Sequence, residues 1–180
     1  DLATRGLPVV PTTWLEPGDL VRIPDRGEIV VQPVVYGGTI DEMRYRLPDH
    51  GEQARTQIEA LLRDGRPVMV QPFLAEGGDH RDVRLVYIDG MLSHAVRPGP
   101  TTAAATAPAS DVERAVGDRA IAVAADVGGP SLYAQVCLVG GIRGEPLVAE
   151  LQLVAPKLYL SAAVGAPERF ADAIARWADV

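Results

Sequence analysis

A chain of 180 residues with 47% apolar side chains can bury one respectable core or two small ones, and it is too hydrophobic to be a disordered polymer. Its formal charge is −7, with 17 basic residues scattered among 24 acidic ones; nucleic-acid binding calls for a concentrated positive footprint instead, and no apolar run is long enough for a membrane helix. The single cysteine, Cys137, allows no internal disulfide and no thiolate zinc site by itself, which fits a reducing cytosol and predicts a cytoplasmic protein.

The chain opens on DLATRGLPVVPTTW, without an initiator Met or the charged lead and apolar core of a secretory signal. This reads as the last turn of a helix passing through Gly6 into an extended segment, Leu7 to Val10. Domains seldom start that way, so a fragment or a removed upstream domain is expected, the alternative being a natural short protein whose first residues fray. Pro11 to Arg26 should wrap the surface, anchored by Trp14 or Leu15. Glu28 to Pro33 is the first convincing strand, because branched apolar residues run together. It leads to Val34–Thr39, where Gly37 and Gly38 let the backbone come close to a phosphate or simply make a hairpin turn. Asp49 is placed to cap a helix with Glu52 returning the hydrogen bond. Ala54, Ile58, Leu61 and Leu62 share one face of that helix, and Gly65 stops it.

From Pro67 to Arg97 the pattern is a strand, a loop and a hairpin turning at Asp89-Gly90. Pro72 suggests a strand end or edge. The hairpin region carries Asp82, Arg84, His94 and Arg97 among apolar neighbours, so it is either half solvated or holding a ligand. Pro98 to Ala109 is a low-complexity crossover, and Ser110 with Glu113 has capping-box spacing at the start of a helix running to about Ala125. Two strands follow, SLYAQVCLV and EPLVAELQLV, linked by GGIRG. Strict alternation puts Val148, Glu150, Gln152 and Val154 on one face and Leu147, Ala149, Leu151 and Leu153 on the other. If the strands pair, Gln135 and Cys137 lie beside Glu150 and Gln152. A last helix begins at Ala166-Pro167-Glu168, with Phe170, Ile174 and Trp177 on one side.

In this order, VVQP, MVQPFL, DVRLVYIDGMLSHAVR, YAQVCLV and AELQLVAPKLYL make the chain resemble the ATP-grasp superfamily, over roughly Leu7 to Trp177. The likeness is to its glutathione-synthetase-like and RimK-like ligases and to the cyclo-ligases of antibiotic pathways. The resemblance implies an α+β fold of two α+β lobes with a nucleotide cleft between them, lacking the upstream domain of complete members. Residues 1–74 would form the small lobe with the hinge strand, and 75–180 the large lobe with the metal-site face. It implies ATP and Mg2+ as cofactors, a small-molecule carboxylate and amine as substrates, no nucleic-acid or membrane partner, and leaves room for a homodimer.

The same resemblance assigns roles. Gln71, Pro72, Phe73 and Leu74 would line adenine, with backbone groups near Pro72 to Leu74 reading it. Gly37 and Gly38 would cover the phosphates, Gln32 would donate to them, and Asp82 with Arg84 would match the family's D-x-R element. Arg84 and Arg97 would oppose phosphoryl charge, and Glu150 and Gln152 would hold the metal. The chain departs from the family at Gln32, where members usually carry Lys, and at Cys137, where they carry Asp. It departs again at Gln152, in place of Glu or Asn, and at Pro98, in place of Lys. Arg22 or Arg44 are geometric stand-ins for the missing ammonium. Two readings follow: a carboxylate-amine ligase forming an acyl phosphate, or a non-catalytic or weakly active nucleotide-binding module with a degraded metal site. Against both stand plainer roles, with Asp82 and Arg84 a surface ion pair, Glu150 solvated, Cys137 a small buried hydrophobe and His94 a satisfied hairpin residue.

Overall fold

Ile29, Val31 and Pro33 alternate with Glu28, Val30 and Gln32, the pattern of a strand that buries one face. In a computed structural model, which describes residues 2–34, 43–74, 83–97 and 105–178, they form such a strand in the first of two units. The units are Val10–Ala75, and Asp1–Val9 together with Glu76–Val180.

The Val10–Ala75 unit is an antiparallel sheet of β1 (Thr13–Leu15), β2 (Gly27–Pro33), β3 (Met43–Leu47) and β4 (Val68–Pro72), in the order β1-β4-β2-β3. One face packs Leu15, Ile29, Val31, Tyr45, Leu47, Val68 and Val70 against Ala54, Ile58, Leu61 and Leu62 of α1 (Gly51–Arg63). Those four residues are the apolar stripe read from the sequence. The helix start differs from expectation: its N-cap is His50, with no side-chain cap, because backbone bonds from His50 N to Arg46 O and Gly51 N to Pro48 O already turn the chain. Its end follows expectation. Gly65 adopts φ +75°, and Gly65 N and Arg66 N bond Leu62 O and Leu61 O, a Schellman closure.

The second unit holds β5 (Val83–Ile88), β6 (Met91–Arg97), β7 (Ala105–Thr106), β8 (Tyr133–Gly140) and β9 (Pro146–Gln152), in the order β7-β6-β5-β8-β9. The β5–β6 turn puts Asp89 at φ 53° and Gly90 at φ 73°, the paired positive angles of a tight hairpin. The first nine residues, grouped with the small lobe on the sequence, belong to this unit instead: Leu7 enters its core, and Val148 N donates to Pro8 O at 2.8 Å, covering the free edge of β9.

The helix α2 (Asp111–Gly128) opens with the expected capping box of Ser110 and Glu113 and runs three residues past Ala125. It covers the face built by Val83, Leu85, Tyr87, Ala134, Val136, Leu138 and Val148. Its approach is close at Gly117, where a Cβ would overlap Tyr87 Oη and Leu85 Cδ1. Tyr87 donates to Asp118 at 2.8 Å; burial first, and the Asp118 carboxylate second, push the phenol above its ordinary range. α3 (Ala166–Ala178) buries Ala166 and Ala173, stacks Phe170 edge-on to Tyr133, and ties Trp177 and Arg176 to Asp89 at the hairpin turn. Ile174 and Trp177, expected on one side with Phe170, stay 45% and 38% exposed. No helix among the described residues is long and apolar enough to cross a membrane.

The sequence alternation fails once in β9, with consequences for the site. Val148 lies opposite Leu138 on the core face, but Glu150 lies opposite Cys137 on the other face, with a bulge between them. The extra residue, Ala149, lets Val148 and Leu151 both reach the core although they are an odd number of positions apart.

Gly117→Ala is expected to destabilise the protein by about 1–3 kcal/mol in urea unfolding, as overpacking does. Gly128→Ala, in the same helix with open space at its Cβ position, should be neutral or stabilising by less than about 1 kcal/mol.

Candidate active site

On the β5-β6-β8-β9 face turned away from α2, polar side chains stand in rows. Arg84 is opposite Cys137, and Cys137 is opposite Glu150; one step along, Val86, Gln135 and Gln152 are in register, with His94 across from Val86 on β6. Glu150 and Gln152 therefore share a face with Gln135 and Cys137, joined by Arg84. Cys137 Sγ donates to Gln135 Oε1 at 3.3 Å, and Arg84 Nη1 stands 4.0 Å from Sγ. Arg84 Nε is buried and has no hydrogen-bond partner, the one such side-chain atom found among the described residues.

Arg97 is not in this group. Val96 is the residue opposite Arg84, so Arg97 continues on the Ala95 side, toward α2. There its Nη2 lies 3.0 Å from both oxygens of Glu113, a carboxylate with no exposure that also accepts from Ser110 N at 2.7 Å and Ser110 Oγ at 3.0 Å. The guanidinium read as a second phosphoryl-facing charge is thus matched to a buried anion on the opposite face of the sheet. The capping-box spacing marked Glu113; nothing in one sequence marks its distant partner.

Two further side chains hold a chain segment onto the polar face. Gln135 Nε2 donates to Lys157 O at 2.6 Å, and His94 Nε2 donates to Leu158 O at 3.0 Å. A carbonyl only accepts, so the His94 proton sits on Nε2 and Nδ1 accepts from Ser93 Oγ, 3.0 Å away. Ser93 Oγ in turn accepts from Arg169 Nε at 3.1 Å. Burial, more than the nearby Arg169 charge, holds the imidazole below its ordinary pKa of 6.5.

In the Val10–Ala75 unit, Gln32 lies opposite Met69 and Gln71 opposite Val30, all on the sheet face away from α1. Gln71 Nε2 donates to Thr12 Oγ1 at 2.8 Å. Pro72 has no N–H, and Phe73 N donates to Glu28 O at 2.7 Å, so neither donates to a ligand through its backbone nitrogen. Arg44, paired across from Val30, lies over the Phe73 ring at 3.4 Å from its centroid. Arg44 Nε and Arg46 Nε also hold Glu28, at 2.7 Å and 2.9 Å. Hydrogen bonds from Arg44 and then Arg46 lower the Glu28 carboxyl below its ordinary value. Two guanidiniums and one carboxylate leave this face one positive charge where Gln32 brings none. The alternating Arg-Tyr-Arg of Met43–Leu47 was the sequence signal for this cluster. Gly37, Gly38 and Asp82 lie outside the described residues.

Among the described residues, the metal donors expected at this face do not by themselves make a magnesium site. Glu150 is the one carboxylate in the row, Gln152 offers a neutral carbonyl, and Cys137 offers sulfur, whereas magnesium takes hard oxygen ligands in a strict octahedron. Among the described residues no three His, Cys, Asp or Glu side chains converge. A separate cavity of about 520 Å³ lies among the β5–β6 turn, α2 and α3. There Arg114 pairs with Asp118 and Arg176 with Asp89, while Arg169 donates to Ser93 Oγ and Val164 O, so its guanidiniums carry hydrogen-bond partners within the fold.

No family model matches the chain. It is 32% identical over 199 residues to the cycloserine biosynthesis protein DcsG of Streptomyces lavendulae, an alignment covering 97% of this chain and 66% of that protein. The crystal structure of D-cycloserine synthetase DcsG superposes with a TM-score of 0.85 at 29% identity, over 98% of this chain and 67% of that one. The D-alanine–D-alanine ligase of Coxiella burnetii matches with a TM-score of 0.65 at 18% identity, covering 99% of this chain and 56% of the ligase. The ATP-grasp ligase PsnB, solved with its precursor peptide PsnA2 and AMPPNP, matches with a TM-score of 0.64 at 22% identity, covering 97% and 56%. The last two establish likeness of fold alone. The chain spans slightly less than two thirds of its curated relative.

Because the folded state holds His94 neutral and the unfolded chain protonates it near 6.5, its contribution to stability is complete above that pH and is lost as pH falls toward the depressed value. Urea unfolding at about pH 7 and about pH 5 should show a smaller loss of stability for His94→Gln than for the unmodified protein. An identical loss in both would remove His94 as the titrating group.

Proposed function

The chain belongs to the ATP-grasp superfamily, and from that premise we propose that it acts in an ATP-dependent ligase joining a carboxylate to an amine through an acyl phosphate. The observation that carries this reading is the 32% identity to DcsG over 97% of the chain, together with a polar row across β5, β8 and β9 that ends in an unsatisfied guanidinium. The substrate carboxylate would attack the γ-phosphorus, releasing ADP and forming the acyl phosphate. The amine would then attack the acyl carbon, and phosphate would leave.

The chain's own groups would position and neutralise. Gln71, Pro72, Phe73 and Leu74 would face adenine, using the Phe73 ring and backbone carbonyls, since the Phe73 N–H is already spent on Glu28. Gln32 would donate an amide N–H to a phosphate oxygen, with Arg44 and Arg46 supplying the excess charge on its face. Gly37 and Gly38 would bring backbone amides to the phosphates, and Asp82 would accompany Arg84. Arg84 would take the oxygens of the transferred phosphoryl group through its planar fork. Arg97 would act indirectly, by fixing the end of β6 against Glu113. Glu150 and Gln152 are the oxygen donors that a cation carried in by the phosphates would meet, as PsnB was solved with Mg and ADP; alone they are too few to define one. The likeness to a D-cycloserine synthetase points to small-molecule substrates.

A second reading is a nucleotide-binding module with little or no turnover, favoured by the uncharged Gln32, Cys137 and Gln152. Calorimetry with ATP, followed by phosphate release with candidate acids and amines, separates the two. A ligase releases phosphate only when both substrates are present, and Arg84→Met lowers kcat/KM by roughly 100-fold or more. ATP binding with no phosphate release under any substrate pair supports the module; no ATP binding removes both.

A further inference from the structure

The mismatch between the polar row and magnesium has a physical counterpart in Arg84. Across three adjacent strands the row reads guanidinium, thiol, carboxylate, one positive and one negative charge with an uncharged thiol between them. Neighbouring strands are about 4.8 Å apart, so the Arg84 and Glu150 backbones stand roughly 10 Å from one another along the row, and no ion pair joins their side chains among the described residues. Arg84 has Val96 across from it on one side and the Cys137 thiol on the other, neither of which neutralises a cation. Its Nε is buried and unsatisfied, and its Nη1 reaches only sulfur at 4.0 Å. A half-buried guanidinium in this condition is completed by an anion, and its fork matches two oxygens of one phosphate.

A divalent cation on the same face would be worse served. Among the described residues it would gain the charge of Glu150 alone, find sulfur at Cys137, and compete with Arg84 for the same phosphate oxygens while repelling it. Gln135 and Gln152 are neutral, and Gln135 has both ends engaged, by Lys157 O and Cys137 Sγ. His94, across from Val86 on the same face, is held neutral against Leu158.

We propose that nucleotide phosphates are held on this chain by Arg84 with little or no help from a divalent cation. The proposal rests on the reading of the chain as a nucleotide-binding protein and deepens it by naming the cation.

The test is calorimetry of ATP binding to the protein in excess EDTA and in excess Mg2+, with intact folding of each variant checked by its melting temperature. The two dissociation constants are expected to agree within about threefold, and Arg84→Met should weaken both by about tenfold or more. Cys137→Asp, which puts a second carboxylate beside Glu150, should make binding magnesium-dependent by about tenfold or more. The unmodified protein decides the matter even if a variant fails to fold. ATP binding more than about tenfold tighter with Mg2+ overturns the inference and leaves the ligase reading standing. An Arg84→Met protein that folds and binds ATP unchanged overturns it as well, and no binding under either condition removes the nucleotide reading itself.

Discussion

The geometry of the polar face depends on one extra residue. β9 has to serve a core on one side and a row of polar groups on the other, and a regular strand would have sent Val148 and Glu150 the same way. With Ala149 bulged out opposite the Cys137–Leu138 step, Val148 and Leu151 both point at the α2-covered core while Glu150 and Gln152 line up with Cys137 and Gln135. Without the bulge, either Val148 would leave the core or Glu150 would be driven into it. The second alternative is the costlier, since an unpaired buried carboxylate must be desolvated without compensation.

The two faces of this sheet then divide the arginines. On the helix side Arg97 meets Glu113, and the carboxylate's remaining hydrogen bonds go to Ser110, so a buried charge is matched and the start of α2 is locked to the end of β6. Removing one partner of such a pair costs about 3–5 kcal/mol, because the other is left buried and unanswered. On the opposite side Arg84 has no such partner among the described residues, and that difference is what gives it a claim on an external anion. Two residues that look alike in the hairpin sequence thus sit in opposite electrostatic situations, one complete within the fold and one left open.

Local chemistry made part of this legible from sequence. The Ser110–Glu113 box, the Asp89-Gly90 turn, the Gly65 closure and the apolar stripe of α1 each depend on residues within a few positions of each other, and all form as read. The superfamily was legible through the order of five short motifs, not through periodicity. What escaped depends on pairing between distant segments. The bulge in β9 is defined only against β8; the direction of Arg97 only against β5 and α2; the docking of Pro8 and Val9 only against the edge of β9. β1 and β3 were missed because each is short and carries exposed Trp14, Arg44 or Arg46, so neither shows an apolar run. Asp49 has the spacing to Glu52 that a cap needs, but the N-cap is His50, where backbone bonds to Arg46 O and Pro48 O already turn the chain.

The central claim is that the polar face of the β5-β8-β9 sheet is a phosphate site whose cation is a side chain. The most direct measurement is a crystal structure of the protein with a bound non-hydrolysable ATP analogue. The account predicts phosphate oxygens within hydrogen-bond distance of Arg84 Nε and one of its terminal nitrogens, on the same face as Cys137 and Glu150. A bound nucleotide whose phosphates leave Arg84 Nε unsatisfied, or lie on another surface, would contradict it.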